Sequence, residues 1–306
     1  YATEEVSFTN GDAVLKGTLT LPENCGRKTP VLIMVTGSGL QNRDEEVFGH
    51  KPFAVIADAF ARAGIATLRY DDRGFGESTG DVVFCTTEDL KNDALSGIRL
   101  LRERFDNVGV LGHSEGGTIA LMLAGEKQVD FAISLAGMIV SGAETLLAQN
   151  RQACQAVGLP ESEVDAYCRL LSDTFDAIKT KSPLPSAGDY NLSADLKQNF
   201  QTALGQFRTP YMEYFLGLDL STRLSDVTCP VMALNGTKDS QVQCDRNLDV
   251  LRLGLPSGGK NLIKAEVGLN HIFQHCTTGA FSEYKEIEET ISPEVLSEMI
   301  AWIRAL

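Results

Sequence analysis

Gly112-His113-Ser114-Glu115-Gly116-Gly117 places a serine in the pattern Gly-x-Ser-x-Gly. A serine hydroxyl is a poor nucleophile at neutral pH and becomes useful only beside a base that a third group orients. The chemistry open to such a serine is acyl transfer through a covalent acyl-serine. The pattern alone is cheap, since Gly76-Glu77-Ser78-Thr79-Gly80 fits the same five positions. The setting separates the two. Before Ser114, Asn107 to Leu111 is an apolar run that predicts a buried strand, and after it Thr118 to Ala124 predicts a helix closing on Gly125. No helical run follows Ser78, and Asp81 continues a polar loop. Ser114 therefore stands on a predicted strand-to-helix turn, the nucleophile elbow, where small neighbours let chains pass closely. The competing role for this serine is a plain helix cap.

The base is sought among four histidines. His113 is adjacent to Ser114 along the chain, so its side chain must diverge from the hydroxyl. His50 lies in a polar loop ahead of a helix. His271, in Gly268-Leu269-Asn270-His271, follows a predicted strand at the end of the sheet where active-site loops gather, and it is the favoured base. His275 is its competitor, four residues on. The two do not make a zinc-protease pattern, because Ile272-Phe273-Gln274 between them supplies no glutamate. The orienting acid should fall between serine and histidine in chain order. Asp239 follows the apolar run 231–234 directly and is favoured over Asp245 and Asp249, which fall in a predicted helix. Its bland alternative is a turn aspartate bonded to its own backbone. An oxyanion needs at least two aimed N–H groups. Glu115, next after the serine, offers one, and Ser38 in Thr36-Gly37-Ser38-Gly39-Leu40 is the favoured second, with Gly39 as a neighbour against substrate. That loop lacks the Gly-Lys-Ser/Thr ending of a phosphate cradle.

These residues need elements to position them. Val6 to Leu21 reads as a β-hairpin with Asn10-Gly11 supplying the positive φ angles of its turn. Apolar runs at 31–35, 65–68, 107–111, 131–135, 231–234 and 261–265 alternate with helical patterns at 53–63, 88–104 and 293–306, the last with Ser292 as N-cap. Such alternation predicts an α/β protein with a mostly parallel sheet covered by helices on both faces. From about Ser141 to Leu220 strand signal lapses, and helical runs at 143–156 and 162–180 precede the aromatic segment Tyr211-Met212-Glu213-Tyr214-Phe215. This stretch is too long for one crossover and reads as a helical insertion folded over the sheet.

Composition sets outer bounds. With 306 residues, 43% hydrophobic and 22% charged, the chain is an ordinary globular enzyme in make-up. A formal charge of −14 argues against a nucleic-acid partner. No apolar stretch reaches the length of a membrane span. The seven cysteines include no Cys-x-x-Cys pair, which argues against structural zinc; Cys154 and Cys168 are candidates to face each other across a helical hairpin. The sequence opens on Tyr1 with no signal-like segment. The expectation is a soluble chain, either exported with its leader removed or cytoplasmic.

The elbow, the loop Gly37 to Glu45, the turn Tyr70-Asp71-Asp72-Arg73-Gly74-Phe75-Gly76-Glu77-Ser78, and Asp239 with His271 together resemble the α/β-hydrolase superfamily. More narrowly they are similar to bacterial capped serine esterases of the serine aminopeptidase-like and cinnamoyl-esterase-like kind. The resemblance implies an eight-stranded sheet with a helical cap between the sixth and seventh strands. It divides the chain into a core of 1–140 and 221–306 and a cap of 141–220. It also implies a carboxylic ester substrate, no cofactor and no metal, with Tyr211, Tyr214 and Phe215 as an apolar lid against a small-molecule substrate. Thr36-Gly37 departs from the His-Gly that many relatives carry at the oxyanion loop. Arg43-Asp44 is expected to brace that loop. Peptidase or thioesterase action on the same triad is the alternative, and an aminopeptidase would use cap carboxylates such as Glu161, Glu163, Asp165 and Glu213 to hold an ammonium. A hydrolase-fold binding protein without catalysis is the third reading.

Overall fold

Alternating strands and helices resolve into one eight-stranded sheet in the computed structural model, which describes residues 1–257 and 259–306. Its strands are β1 (Ala2–Asn10), β2 (Ala13–Leu21), β3 (Val31–Val35), β4 (Ala66–Tyr70), β5 (Val108–His113), β6 (Phe131–Leu135), β7 (Val231–Gly236) and β8 (Leu262–Glu266), in the order β1-β2-β4-β3-β5-β6-β7-β8. β2 runs antiparallel to β1 and β4, and every other pair is parallel. The central strands read as continuous apolar runs because both faces are covered. In β3 the side chains of Val31, Ile33 and Val35 enter one core cluster, while Leu32 and Met34 enter the other.

Three helices cover the first face: α2 (Thr87–Arg102), α3 (Glu115–Gly125) and α8 (Cys244–Gly254). Two cover the second: α1 (Pro52–Arg62) and α9 (Pro293–Arg304), whose Ser292 hydroxyl accepts the Val295 N–H as the predicted N-cap. Between β6 and β7 the chain forms α4 (Gly142–Ala156), α5 (Glu161–Thr180), α6 (Ala194–Phe207) and α7 (Pro210–Gly217). These helices bury an apolar cluster of their own, around Leu170, Phe175 and Phe200.

The predicted hairpin forms, with a correction at its turn. Asn10 pairs with Ala13, so Gly11-Asp12 are the central residues and Gly11 alone carries a positive φ, of 59°. Asn10 stays in the strand because its side-chain amide donates to Asp93 across 2.8 Å. All seven cysteines are free, Cys154 and Cys168 among them; both pack into the apolar cluster of the inserted helices. Among the described residues, no helix is long and apolar enough to cross a membrane.

Candidate active site

Ser114 sits where β5 turns into α3, with φ 54° and ψ −120°. Such a conformation costs a non-glycine residue on the order of 1–3 kcal/mol and persists only where its surroundings over-determine it. Here they do. A Cβ on Gly112 would lie 1.8 Å from the Gly116 carbonyl oxygen, and one on Gly116 would lie 2.0 Å from the Val35 carbonyl oxygen. β3, β5 and the first turn of α3 therefore cross backbone against backbone, which leaves Ser114 half-buried at the carboxyl ends of the strands. The second Gly-x-Ser-x-Gly has a different fate. The buried Ser78 hydroxyl donates to the Asp71 carbonyl at 2.7 Å and accepts the Lys16 N–H at 2.9 Å, so it is spent on holding a loop.

His271 lies in the loop after β8, and Asp239 in the loop after β7. The buried His271 ring donates from Nδ1 to Asp239 Oδ2 at 2.7 Å. The other Asp239 oxygen accepts the N–H groups of Gln241 and Val242 at 2.7 and 2.9 Å, so the carboxylate is fixed before it meets the imidazole. With its proton on Nδ1, a neutral His271 presents the Nε2 lone pair. Ser114 and His271 line one cavity of about 470 Å³, with no hydrogen bond between them among the described residues. Ser38 lines it as well. The backbone N–H groups of Ser38 and Glu115 have no protein acceptor among the described residues. The dipole of α3 adds to the Glu115 amide as an anion site.

The other histidines are placed elsewhere. His50 is buried, donating to the Tyr284 carbonyl (2.9 Å) with Thr290 at its other nitrogen (3.0 Å). His275 is exposed and pairs with Glu289 at 3.0 Å, away from the cavity. Asp245 and Asp249 lie on α8 and do not line it.

Of the residues expected against substrate, Tyr211 and Phe215 line the cavity, stacked with ring centroids 5.8 Å apart. Tyr214 and Gly39 need correction. Residues 211, 212 and 215 share one face of α7, while Tyr214 points toward α2 and donates to Glu88 at 3.0 Å. Gly39 sits at an exposed bend with φ 91°, and the cavity is met by Gly37, Ser38 and Gln41 instead. The cap carboxylates are also elsewhere. Glu161 and Asp165 pair with Arg151, Glu163 accepts the Ser193 N–H, and Glu213 is exposed; none lines the cavity.

Several polar residues brace the site from below, and the partners of Glu115, His113 and Asp72 are brought together only by the fold. Arg43 braces its loop as expected, through Asp71 (2.8 Å) and Glu5 (2.7 Å). Asp44 does so through an ion pair with Arg69. The Glu115 carboxylate is wholly buried and accepts hydrogen bonds from Thr87 (2.6 Å) and Tyr211 (2.5 Å). That second bond ties α7 to the residue following Ser114. His113 bridges Glu45 and the His271 carbonyl, each at 2.9 Å. Asp72 accepts the Thr36 hydroxyl at 2.9 Å and the Gln41 N–H at 2.8 Å. Thr36 and Asp72 thus anchor the loop of Gly37, Ser38 and Gln41 from below.

Burial raises the Asp72 carboxyl to about 8, against donors from Gln41 and Thr36 that lower it, with the Glu45 and Glu115 charges adding to the rise. The folded protein therefore holds a proton that the unfolded chain releases near 3.8. Stability from this group is full at low pH and declines as pH climbs toward about 8, by roughly 1.4 kcal/mol per pH unit. Asp72→Asn is expected to flatten that decline. Thermal melts of both proteins from pH 5 to pH 9 check it, and parallel curves would refute the assignment.

Comparison with known proteins gives the family and the fold. The profile of the X-Pro dipeptidyl-peptidase (S15) family matches residues 10–252. Esterase EstD of Thermotoga maritima is 33% identical over 124 residues, 40% of this chain and 30% of that protein. The mitochondrial palmitoyl-protein thioesterase ABHD10 of Mus musculus is 27% identical over 227 residues, 73% of this chain and 63% of that one. The matched regions thus span less than two thirds of either relative. Among solved structures, the α/β hydrolase GrgF from Penicillium sp. sh18 superposes with a TM-score of 0.62 at 16% identity, covering 100% of this chain and 99% of its own. The fold is that of the α/β hydrolases.

Proposed function

The chain belongs to the X-Pro dipeptidyl-peptidase (S15) family, and from that premise we propose a serine hydrolase that cleaves neutral carboxylic esters through an acyl-enzyme. Ser114 Oγ attacks the ester carbonyl as His271 Nε2 takes its proton. The tetrahedral oxyanion rests between the Ser38 and Glu115 amides. The C–O bond to the alcohol then breaks, and His271 returns the proton to the departing oxygen. Water repeats the sequence to release the acid. Asp239 fixes the imidazole tautomer and stabilises its charged form. Residues 141–220 act as a cap on a core of 1–140 and 221–306, and supply the wall that meets the acyl or alcohol group.

The observation that carries this reading is the His271–Asp239 pair sharing one cavity with a serine in elbow geometry. The choice of ester over peptide rests on the cavity wall. Met138, Leu146, Met212, Phe215 and Ile272 give it an apolar side, Gln41, Glu45, Glu46, Gln149 and Gln241 give it a polar one, and among the described residues no lysine or arginine lines it. The inserted-helix carboxylates that an aminopeptidase would use to hold an ammonium are spent or turned away, and of the two carboxylates at the cavity Glu45 is taken by His113 and Gly37 while Glu46 pairs with Lys51. The S15 match keeps peptide cleavage as the second reading.

A panel of neutral p-nitrophenyl esters assayed beside aminoacyl p-nitroanilides tests the choice. Turnover of the esters with little turnover of the anilides is expected, and the reverse order would replace the ester reading with the peptidase one. In the same assay His271→Ala should lose on the order of 10⁴-fold or more in kcat, while His275→Ala stays within about twofold. A large loss in His275→Ala would move the base to that residue.

A further inference from the structure

His113 is the residue beside the nucleophile, and it is buried. Both of its ring nitrogens face acceptors. Nδ1 lies 2.9 Å from Glu45 Oε1, and Nε2 lies 2.9 Å from the carbonyl oxygen of His271. A carbonyl oxygen cannot donate, so Nε2 must carry a proton. The Glu45 oxygen at Nδ1 also accepts the Gly37 N–H at 2.9 Å, and as a carboxylate oxygen it accepts from the ring as well. A neutral imidazole has one N–H and can satisfy only one of the two; the imidazolium satisfies both. His50 shows the contrast within this chain. Its Nε2 also meets a carbonyl, but its Nδ1 meets a threonine hydroxyl that can donate, so the neutral form suffices.

The surroundings agree. Phe53, Leu135, Ile272 and Phe273 line the same small recess, and such burial on its own lowers a histidine pKa. The adjacent Glu45 charge and its hydrogen bond outweigh burial, and the net direction for His113 is upward. His113 also lies against the base, with the two imidazole rings 4.7 Å apart.

We propose that His113 is a standing imidazolium that joins the nucleophile turn, the oxyanion loop and the base, and that holds the His271 main chain and ring in position. The three connections are explicit. His113 is covalently next to Ser114, its Glu45 partner holds Gly37 at the oxyanion loop, and its Nε2–H holds the His271 main chain. The charged and titratable groups around the two rings are Glu45 from the loop after β3, Asp239 from the loop after β7, and Tyr284 from the segment before α9. Asp72 lies beyond Glu45. His113 lines the cavity beside Ser114 and His271, and the role assigned to it is positioning, exerted through Glu45 and the His271 main chain. The part concerning His271 rests on that residue being the base; the part concerning His113 itself does not.

Nitrogen-15 NMR of the intact protein labelled at histidine tests the first part without any assay. With four histidines, the His113 signals are those missing from the spectrum of His113→Gln, or those left once His50, His271 and His275 are assigned by their own variants. At about pH 7.5, a unit above the ordinary histidine value, both His113 nitrogens are expected to carry protons. An unprotonated His113 nitrogen at that pH overturns the proposal. The second part is read from the kinetics of ester hydrolysis. Gln at 113 keeps an N–H for the His271 carbonyl but loses the imidazolium that bridges it to Glu45. In His113→Gln kcat is expected to fall about tenfold or more with KM within about twofold. An unchanged kcat in a variant that melts as a folded protein overturns the positioning role. Absence of any hydrolysis in the native enzyme would sink the proposed function and leave the NMR result to stand by itself.

Discussion

Ser114→Ala is expected to lower kcat/KM on a neutral p-nitrophenyl ester by about 10⁴- to 10⁶-fold and to abolish labelling by a fluorophosphonate. The size follows from what is removed. Without Oγ no acyl-enzyme forms, and what remains is binding plus the Ser38 and Glu115 amides, which together retain only a small part of the acceleration. Folding should be spared. Alanine bears the same φ of 54° at the cost that serine already meets, and the Ser114 N–H keeps its bond to the Leu135 carbonyl at 2.8 Å. Ser78→Ala makes the informative partner. It removes one hydrogen bond to the Asp71 carbonyl and one from the Lys16 amide in a buried loop, so it should cost about 1–3 kcal/mol of stability and leave labelling intact. Persistent labelling of Ser114→Ala, or its loss in folded Ser78→Ala, would take the nucleophile away from Ser114.

Gly116→Ala should damage the fold rather than the chemistry. The new Cβ would lie 2.0 Å from the Val35 carbonyl oxygen and 2.6 Å from that of Thr36. Both are backbone atoms, at the end of a strand paired on both sides by β4 and β5. Nothing there can swing aside as a side chain would, so β3 or α3 must shift. A loss above about 4 kcal/mol in urea unfolding is expected, at the extreme of single substitutions. Gly125→Ala, on the same helix, is the control. Its Cβ would meet only side-chain atoms at 3.7 and 3.8 Å, and it should be neutral or slightly stabilising. A Gly116→Ala protein within about 1 kcal/mol of the parent would show that the elbow is not held by this crossing.

Much of the architecture is legible in the sequence for a simple reason. A strand buried on both faces is a short apolar run whatever surrounds it, so 131–135 reads without ambiguity and matches β6 residue for residue. Ser292-Pro293 marks the start of α9 through local chemistry alone. Ser114, Asp239 and His271 are readable because each follows a strand, and parallel strands deliver their carboxyl ends to one edge. The hairpin turn shifts by one residue because a distant acid, Asp93, holds Asn10 in the strand. Tyr214 is lost to the cavity because a helix of eight residues has several faces, and only its packing on α2 selects which one turns inward.

What the sequence determined by itself is therefore the order of elements and the candidates for nucleophile, base and acid, since these depend on local patterning and chain order. Tertiary structure alone decided how the elbow is held, through a backbone crossing at Gly112 and Gly116, and where the Ser78 hydroxyl is spent. It also decided which aromatic faces the cavity, and it placed His113, Glu45 and Asp72 beneath the reacting groups. A charge in the interior is set by what lies within a few ångströms of it, and those neighbours come from residues as far apart in the chain as 45, 113 and 271.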